Sequence, residues 1–105
     1  MDWELTSGEG RLIGRPKGRV DETTWEVFSG HLTSAVREAA AAGGKLTIDL
    51  SGLEYMSSRG LRALTIAKRE AGPDVAIELA APNARMREIL AISRYDKLFD
   101  VVDQV

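Results

Sequence analysis

The chain is predicted to fold as an α/β domain with a mixed, mostly parallel sheet, helices packed mainly on one face, and the element order ββαβαβαβ. Three observations predict it. Apolar residues alternate in Leu46-Thr47-Ile48-Asp49-Leu50 and again in Val75-Ala76-Ile77-Glu78-Leu79, as in strands with two unlike faces. Between these runs Leu61, Leu64, Ala67 and Ala71 recur at helical spacing, and Gly60 and Ala63 add a small-residue face suited to close packing on a sheet. Strand, helix and strand in succession call for a parallel pair with a right-handed crossover. Finally, 105 residues with 44% hydrophobic content suffice for one two-layer core and leave no room for a second, so a single domain is expected over residues 1–105.

The remaining elements follow in order. Trp3-Glu4-Leu5-Thr6 reads as a strand, Ser7-Gly8-Glu9-Gly10 as a turn, and Arg11-Leu12-Ile13-Gly14-Arg15 as the returning strand of a hairpin. After Pro16-Lys17, the piece Gly18-Arg19-Val20-Asp21 leads to a helix, with Asp21 suited to capping it and Thr23 to Glu26 fitting a capping box. Trp25, Phe28, Leu32, Ala35, Val36 and Ala39 form the apolar stripe of that helix, and Gly43-Gly44 ends it. Gly72-Pro73 breaks the chain after the second helix. Pro82-Asn83 then opens a short helix bearing Ala84, Met86, Ile89 and Leu90, and Leu98-Phe99-Asp100-Val101-Val102 reads as the last strand.

Composition excludes several function classes. A net charge of −2 lacks the basic footprint of a dedicated nucleic-acid binder. Without cysteine there are no disulfides, thiol catalysis or cysteine-based metal sites, a composition that suits a reducing cytoplasm. The start, Met-Asp-Trp-Glu, has no basic segment and no apolar core, so it is not read as a signal peptide. No run approaches the roughly 20 apolar residues that span a bilayer. Gly8, Gly10 and Gly14 lie in a hairpin without the strand-to-helix context and Lys of a phosphate loop. His31, the only histidine, lacks a serine or carboxylate companion at a meaningful spacing and reads as structural or solvated. No catalytic residue, cofactor or metal site is expected, and the chain is read as a non-enzyme.

The stretch Tyr55-Met56-Ser57-Ser58-Arg59-Gly60 places two hydroxyls where the second helix begins, next to backbone N–H groups that have no intrahelical partner. One serine at such a place ordinarily caps the helix and the other is a spectator. On the side opposite the packing stripe, Arg62, Ile66 and Arg69 are expected at the surface with Thr65. That side is either an ordinary solvated face or a docking patch with arginines around an apolar centre.

Taken together, Ile48-Asp49-Leu50-Ser51-Gly52-Leu53, the pair Tyr55-Met56, Ser57-Ser58-Arg59-Gly60-Leu61-Arg62-Ala63-Leu64 and the basic helix end at Lys68-Arg69 resemble the STAS family, the anti-anti-sigma domains. The resemblance covers nearly the whole chain and is strongest over residues 46 to 64. The family text commonly reads Asp-Ser-Ser-Gly-Leu or Ile-Ser-Ser-Ala-Gly-Leu-Arg, and Gly60-Leu61 anchors the alignment. By it Ser57 stands in place of the usual Asp, Ser58 falls on the phosphorylated serine, and Arg59 replaces a small residue. Gly18-Arg19-Val20-Asp21 resembles the family's Gly-x-Leu-Asp, which places Asp21 near the phosphorylation site. The family's final helix is absent here or reduced to a turn.

The resemblance implies a bacterial, cytoplasmic anti-sigma factor antagonist that acts in transcription regulation by partner switching. Its partner would be a serine-kinase anti-sigma factor with an ATP-binding kinase fold, bound while Ser58 is unphosphorylated and released by phosphorylation. A serine phosphatase would reset the switch, with no direct nucleic-acid contact and no membrane insertion. Arg59 and Arg62 would either recognise the partner or neutralise the phosphate, and the partner role is favoured for Arg62. The alternative is an accessory STAS subunit of a membrane transport complex, a constitutive docking module that uses the same helix face.

Overall fold

The computed structural model describes residues 1–105. Its elements are β1 (Asp2–Gly8), β2 (Arg11–Val20), α1 (Trp25–Ala41), β3 (Lys45–Asp49), β4 (Leu53–Met56), α2 (Ser58–Ala71), a 3-10 turn (Gly72–Asp74), β5 (Ala76–Ala80), α3 (Ala84–Ile92), α4 (Tyr95–Leu98) and β6 (Asp100–Val102). The mixed sheet runs β1-β2-β3-β5-β6, with β4 paired to β2 off this path. Only the β1–β2 hairpin is antiparallel.

The period-two patterns divide the sheet into two faces. Leu46, Ile48 and Leu79 enter one apolar core with Phe28, Leu32 and Val36 of α1, Leu64 and Ala67 of α2, and Met86 and Leu90 of α3. The opposite face is polar. There Arg11 Nη1 donates to Thr47 Oγ1 at 2.9 Å and approaches Glu78 Oε1 at 3.4 Å, while Arg15 Nε lies 3.4 Å from Asp49 Oδ2. The buried Thr47 and Asp49 are thus satisfied by long side chains laid along the sheet, and no buried side-chain polar atom lacks a partner.

The structure differs from the sequence reading in four places. First, β2 does not stop at Arg15 but continues through Pro16 to Val20. It pairs with β3 through Leu12–Gly14 and with β4 from Gly18 onward, so Pro16 falls between the two partners. Gly18 marks the change of partner with a register irregularity and a φ of +103°, which a side chain would strain, and its N–H donates to Gly52 O at 3.0 Å.

Second, Leu53–Met56 is a strand, making six strands where the reading had five. Its alternation is too short and irregular for periodicity, because both Leu53 and Met56 are buried, and it exists through its pairing with β2. Third, the capping box does not form. Thr24 is the N-cap of α1 and makes no side-chain bond into the helix, because its Oγ1 donates to Arg19 O and accepts from Asp21 N. Fourth, Leu98 ends the one-turn α4, and β6 is limited to Asp100–Val102.

Candidate functional site

The loop from β4 into α2 is held from both sides. Ser57 N donates to Val20 O at 2.8 Å, which fastens the loop to the end of β2. Ser57 itself is extended (φ −78°, ψ 174°), and its Oγ accepts from Gly60 N at 3.4 Å, the side-chain bond of an N-cap. Ser58 is therefore the first helical residue. It is exposed, and its hydroxyl forms no hydrogen bond within the chain.

Gly60 explains how the helix start comes so close to the sheet. It is buried, and a Cβ there would collide with Met56 Cγ of β4 and lie 2.7 Å from Val20 Cγ1 of β2. Absence of a side chain lets the first turn of α2 settle on these two strands, with Ser58 pointing away from the core. The buried stripe Gly60, Ala63, Leu64, Ala67 and Ala71 then fixes the rotation of the helix. By that rotation Arg62, Ile66 and Arg69 are all exposed, and Ile66 shows 37% of its surface.

The cations on this face are not equivalent. Arg59 Nε is 2.9 Å from Glu22 Oε2, and its guanidinium lies 5.3 Å from the centre of the Trp25 ring. Its charge is thus directed toward the start of α1. Arg62 and Arg69 form no ion pair. Two shallow clefts meet along the helix and share Ser58, Arg59, Arg62 and Ile66 in their linings. Tyr95 walls one of them, its hydroxyl 2.6 Å from Thr65 Oγ1, and Trp25 walls the other.

Asp21 takes a supporting place. Its Oδ1 accepts from Thr23 Oγ1 at 2.8 Å and Thr23 N at 3.0 Å, and its carbonyl accepts from Thr24 and Trp25 N–H, which builds the turn into α1. The side-chain bond from Thr23, then the backbone bond from Thr23, hold the carboxyl below its usual pKa. It follows Val20, whose carbonyl anchors Ser57, but its carboxylate is occupied by the threonines and not by either serine.

The structure therefore brings Ser57, Ser58, Arg59, Gly60, Arg62, Ile66 and Arg69 onto one helix and its entry, with Asp21 one step behind. Sequence reasoning passed over Glu22, assigned Trp25 to the core stripe, although it is only half-buried, and had no pattern linking Tyr95 to Thr65 thirty residues away. It read Tyr55 only as half of an aromatic–Met pair and gave it no contact, whereas its ring has the guanidinium of Arg19 at 4.9 Å and that of Arg85 at 5.2 Å. The register of β2 against β4, which sets Arg19 beside Tyr55, was the missing signal. His31 stacks on Trp3 with ring centres 5.1 Å apart and planes within 1°. No cluster of three His, Asp or Glu side chains is placed to hold a metal ion. What this arrangement offers chemically is recognition: a rigid helix face with two unpaired cations, an apolar centre, aromatic walls and one accessible hydroxyl.

A family model described as Mlab, STAS domain matches residues 17–103 of the chain. No curated protein matches it by sequence. Among solved structures, an anti-sigma factor antagonist from Mycobacterium paratuberculosis superposes with a TM-score of 0.88 at 20% identity, over 99% of this chain and 86% of that one. An anti-sigma-factor antagonist (STAS) domain protein from Planctomyces limnophilus gives 0.85 at 19% identity, over 100% and 92%. The Bacillus cell fate determinant SpoIIAA in its phosphorylated form gives 0.67 at 18% identity, over 95% and 90%. At these identities the likeness is one of fold.

Proposed function

The chain belongs to the STAS-domain family, and we propose that it acts as an anti-sigma factor antagonist, a protein-binding switch in the cytoplasm rather than an enzyme. Unphosphorylated, it binds a serine-kinase anti-sigma factor through the exposed face of α2. Phosphorylation of Ser58 by that partner releases it, and a serine phosphatase restores the binding form. The single observation that carries this reading is Ser58 itself: an exposed hydroxyl with no partner, held by the Ser57 cap at the end of a rigid face that carries unpaired Arg62 and Arg69 around Ile66. A phosphoryl group there adds roughly −1.5 to −2 charge at the edge of the proposed contact. Loss of most binding needs only a few kcal/mol, since about 1.4 kcal/mol is a tenfold change in affinity.

A second reading uses the same face without modification, as the constitutive docking module of a membrane transport complex. Arg59 favours it, because the family resemblance calls for a small residue directly after the modified serine and this chain carries a long cation there. The family description, Mlab, STAS domain, matches the chain without separating the two readings. Intact-mass analysis with site mapping of the protein from its native cells, wild type beside Ser58→Ala, decides between them. Phosphate on Ser58 that disappears in the variant is the expected result. Its absence under all conditions, with a transport complex co-purifying, overturns the switch.

A further inference from the structure

We propose that a phosphoryl group on Ser58 is captured by Arg62, so that modification withdraws this arginine from the docking face instead of acting only through its own charge. The inference rests on the reading of Ser58 as the modified residue and specifies how that modification works. Four observations carry it. Ser58 and Arg62 are four residues apart on α2, the spacing that stacks side chains on one helix face. Both line the same two clefts. Ser58 has no hydrogen bond to give up, and Arg62 has no ion pair to break.

The other cation within reach, Arg59, is already taken. Glu22 holds its guanidinium at 2.9 Å, and Trp25 lies under it. The charged residues that line these clefts with Ser58 are Arg59, Arg62 and Arg69, and Glu22 turns Arg59 toward α1. Arg69 lies almost two further turns along, beyond the reach of a group on Ser58. A guanidinium matches a phosphoryl group with two parallel N–H···O bonds, a geometry a lysine cannot reproduce. The consequence is an exchange of charge on the face: before modification Arg62 and Arg69 are both available to a partner carboxylate, and afterwards Arg62 is satisfied within the chain.

The test uses the full chain with phosphoserine installed at position 58 by genetic encoding, so that no kinase is needed. The second phosphoryl ionisation is followed by 31P NMR against pH. In the otherwise unaltered chain the phosphoryl pKa is expected below the ordinary value of about 6, by roughly half a unit or more, as a neighbouring cation stabilises the dianion. Arg62→Gln is expected to return it toward that value. Arg62→Lys is expected to restore the shift only in part, and Arg69→Gln to leave it unchanged. A titration that does not move in Arg62→Gln overturns the inference, as does one that moves equally in Arg69→Gln. Because the phosphate is installed, this outcome is separate from whether cells modify Ser58, which mass analysis of the native protein decides.

Discussion

Arg59 Nε lies 2.9 Å from Glu22 Oε2, so the residue that follows Ser58 in the chain is tied to the entry of α1. Both side chains are more than half exposed, and such pairs add about 0–1 kcal/mol to stability. The latch is therefore a means of orientation more than of stability. Glu22→Gln is expected to shift the urea midpoint only slightly and to increase the mobility of the Arg59 side chain, seen in Nε–Hε NMR relaxation. A large fall in stability would show that the pair holds α1 against α2.

The two serines have separable roles. Ser57→Ala removes the N-cap acceptor and is expected to cost about 0.5–2 kcal/mol, toward the lower end because the bond is long at 3.4 Å. Ser58→Ala touches nothing in the fold and is expected to stay within about 0.5 kcal/mol of wild type. Paired denaturant titrations check both values, and the reverse order of effects would move the cap to Ser58.

Gly60→Ala puts a Cβ against Met56 and Val20, neither of which can retreat far in a packed core. Overpacking of this kind is expected to destabilise the domain by about 1–3 kcal/mol and to lift the first turn of α2. Chemical denaturation, with amide shifts of Ser57 to Leu61, measures both consequences. An unchanged midpoint would mean that α2 docks less closely than described.

Asp21 supplies a pH dependence of known sign. Its carboxyl pKa is depressed, chiefly by the side-chain hydrogen bond from Thr23. A depressed carboxyl stabilises the fold above its unfolded-state pKa of about 3.9, and that contribution is lost as pH falls through the lower folded value. A 13C titration of the Asp21 carboxyl is expected to fall below the ordinary value. Thr23→Val is expected to raise it, because it removes the hydroxyl donor and keeps the shape.

The proposed docking face predicts a dependence on salt. Unpaired Arg62 and Arg69 would speed encounter with an acidic partner surface, so charge reversal at either, Arg62→Glu or Arg69→Glu, is expected to lower the association rate and flatten its ionic-strength dependence. Kinetics with the proposed anti-sigma factor partner in purified form, run at low and high salt, check this. Unaltered rates would remove both arginines from the interface.

Periodicity made the long elements legible. The alternation in β3 and β5 and the stripes of α1 and α2 follow from burying one face of each element, a requirement local enough to be written in a dozen residues. The Ser57-Ser58 helix entry was legible for the same reason, since a cap is a contact between close neighbours. Three other features escaped the local patterns. β4 forms because β2, running on past Pro16, offers it a free edge beyond the end of β3. Thr23 and Glu26 do not make their box because Asp21 recruits Thr23, and Thr24 bridges to Arg19. Arg59 faces Glu22 and Trp25, and Tyr95 meets Thr65, because packing α1 and α4 beside α2 brings together groups far apart in sequence. The sequence by itself determined which faces the long elements bury and where the second helix is capped. Only the assembled domain decided which cations remain unpaired on the α2 face, because charge pairing depends on distances across elements that no local pattern records.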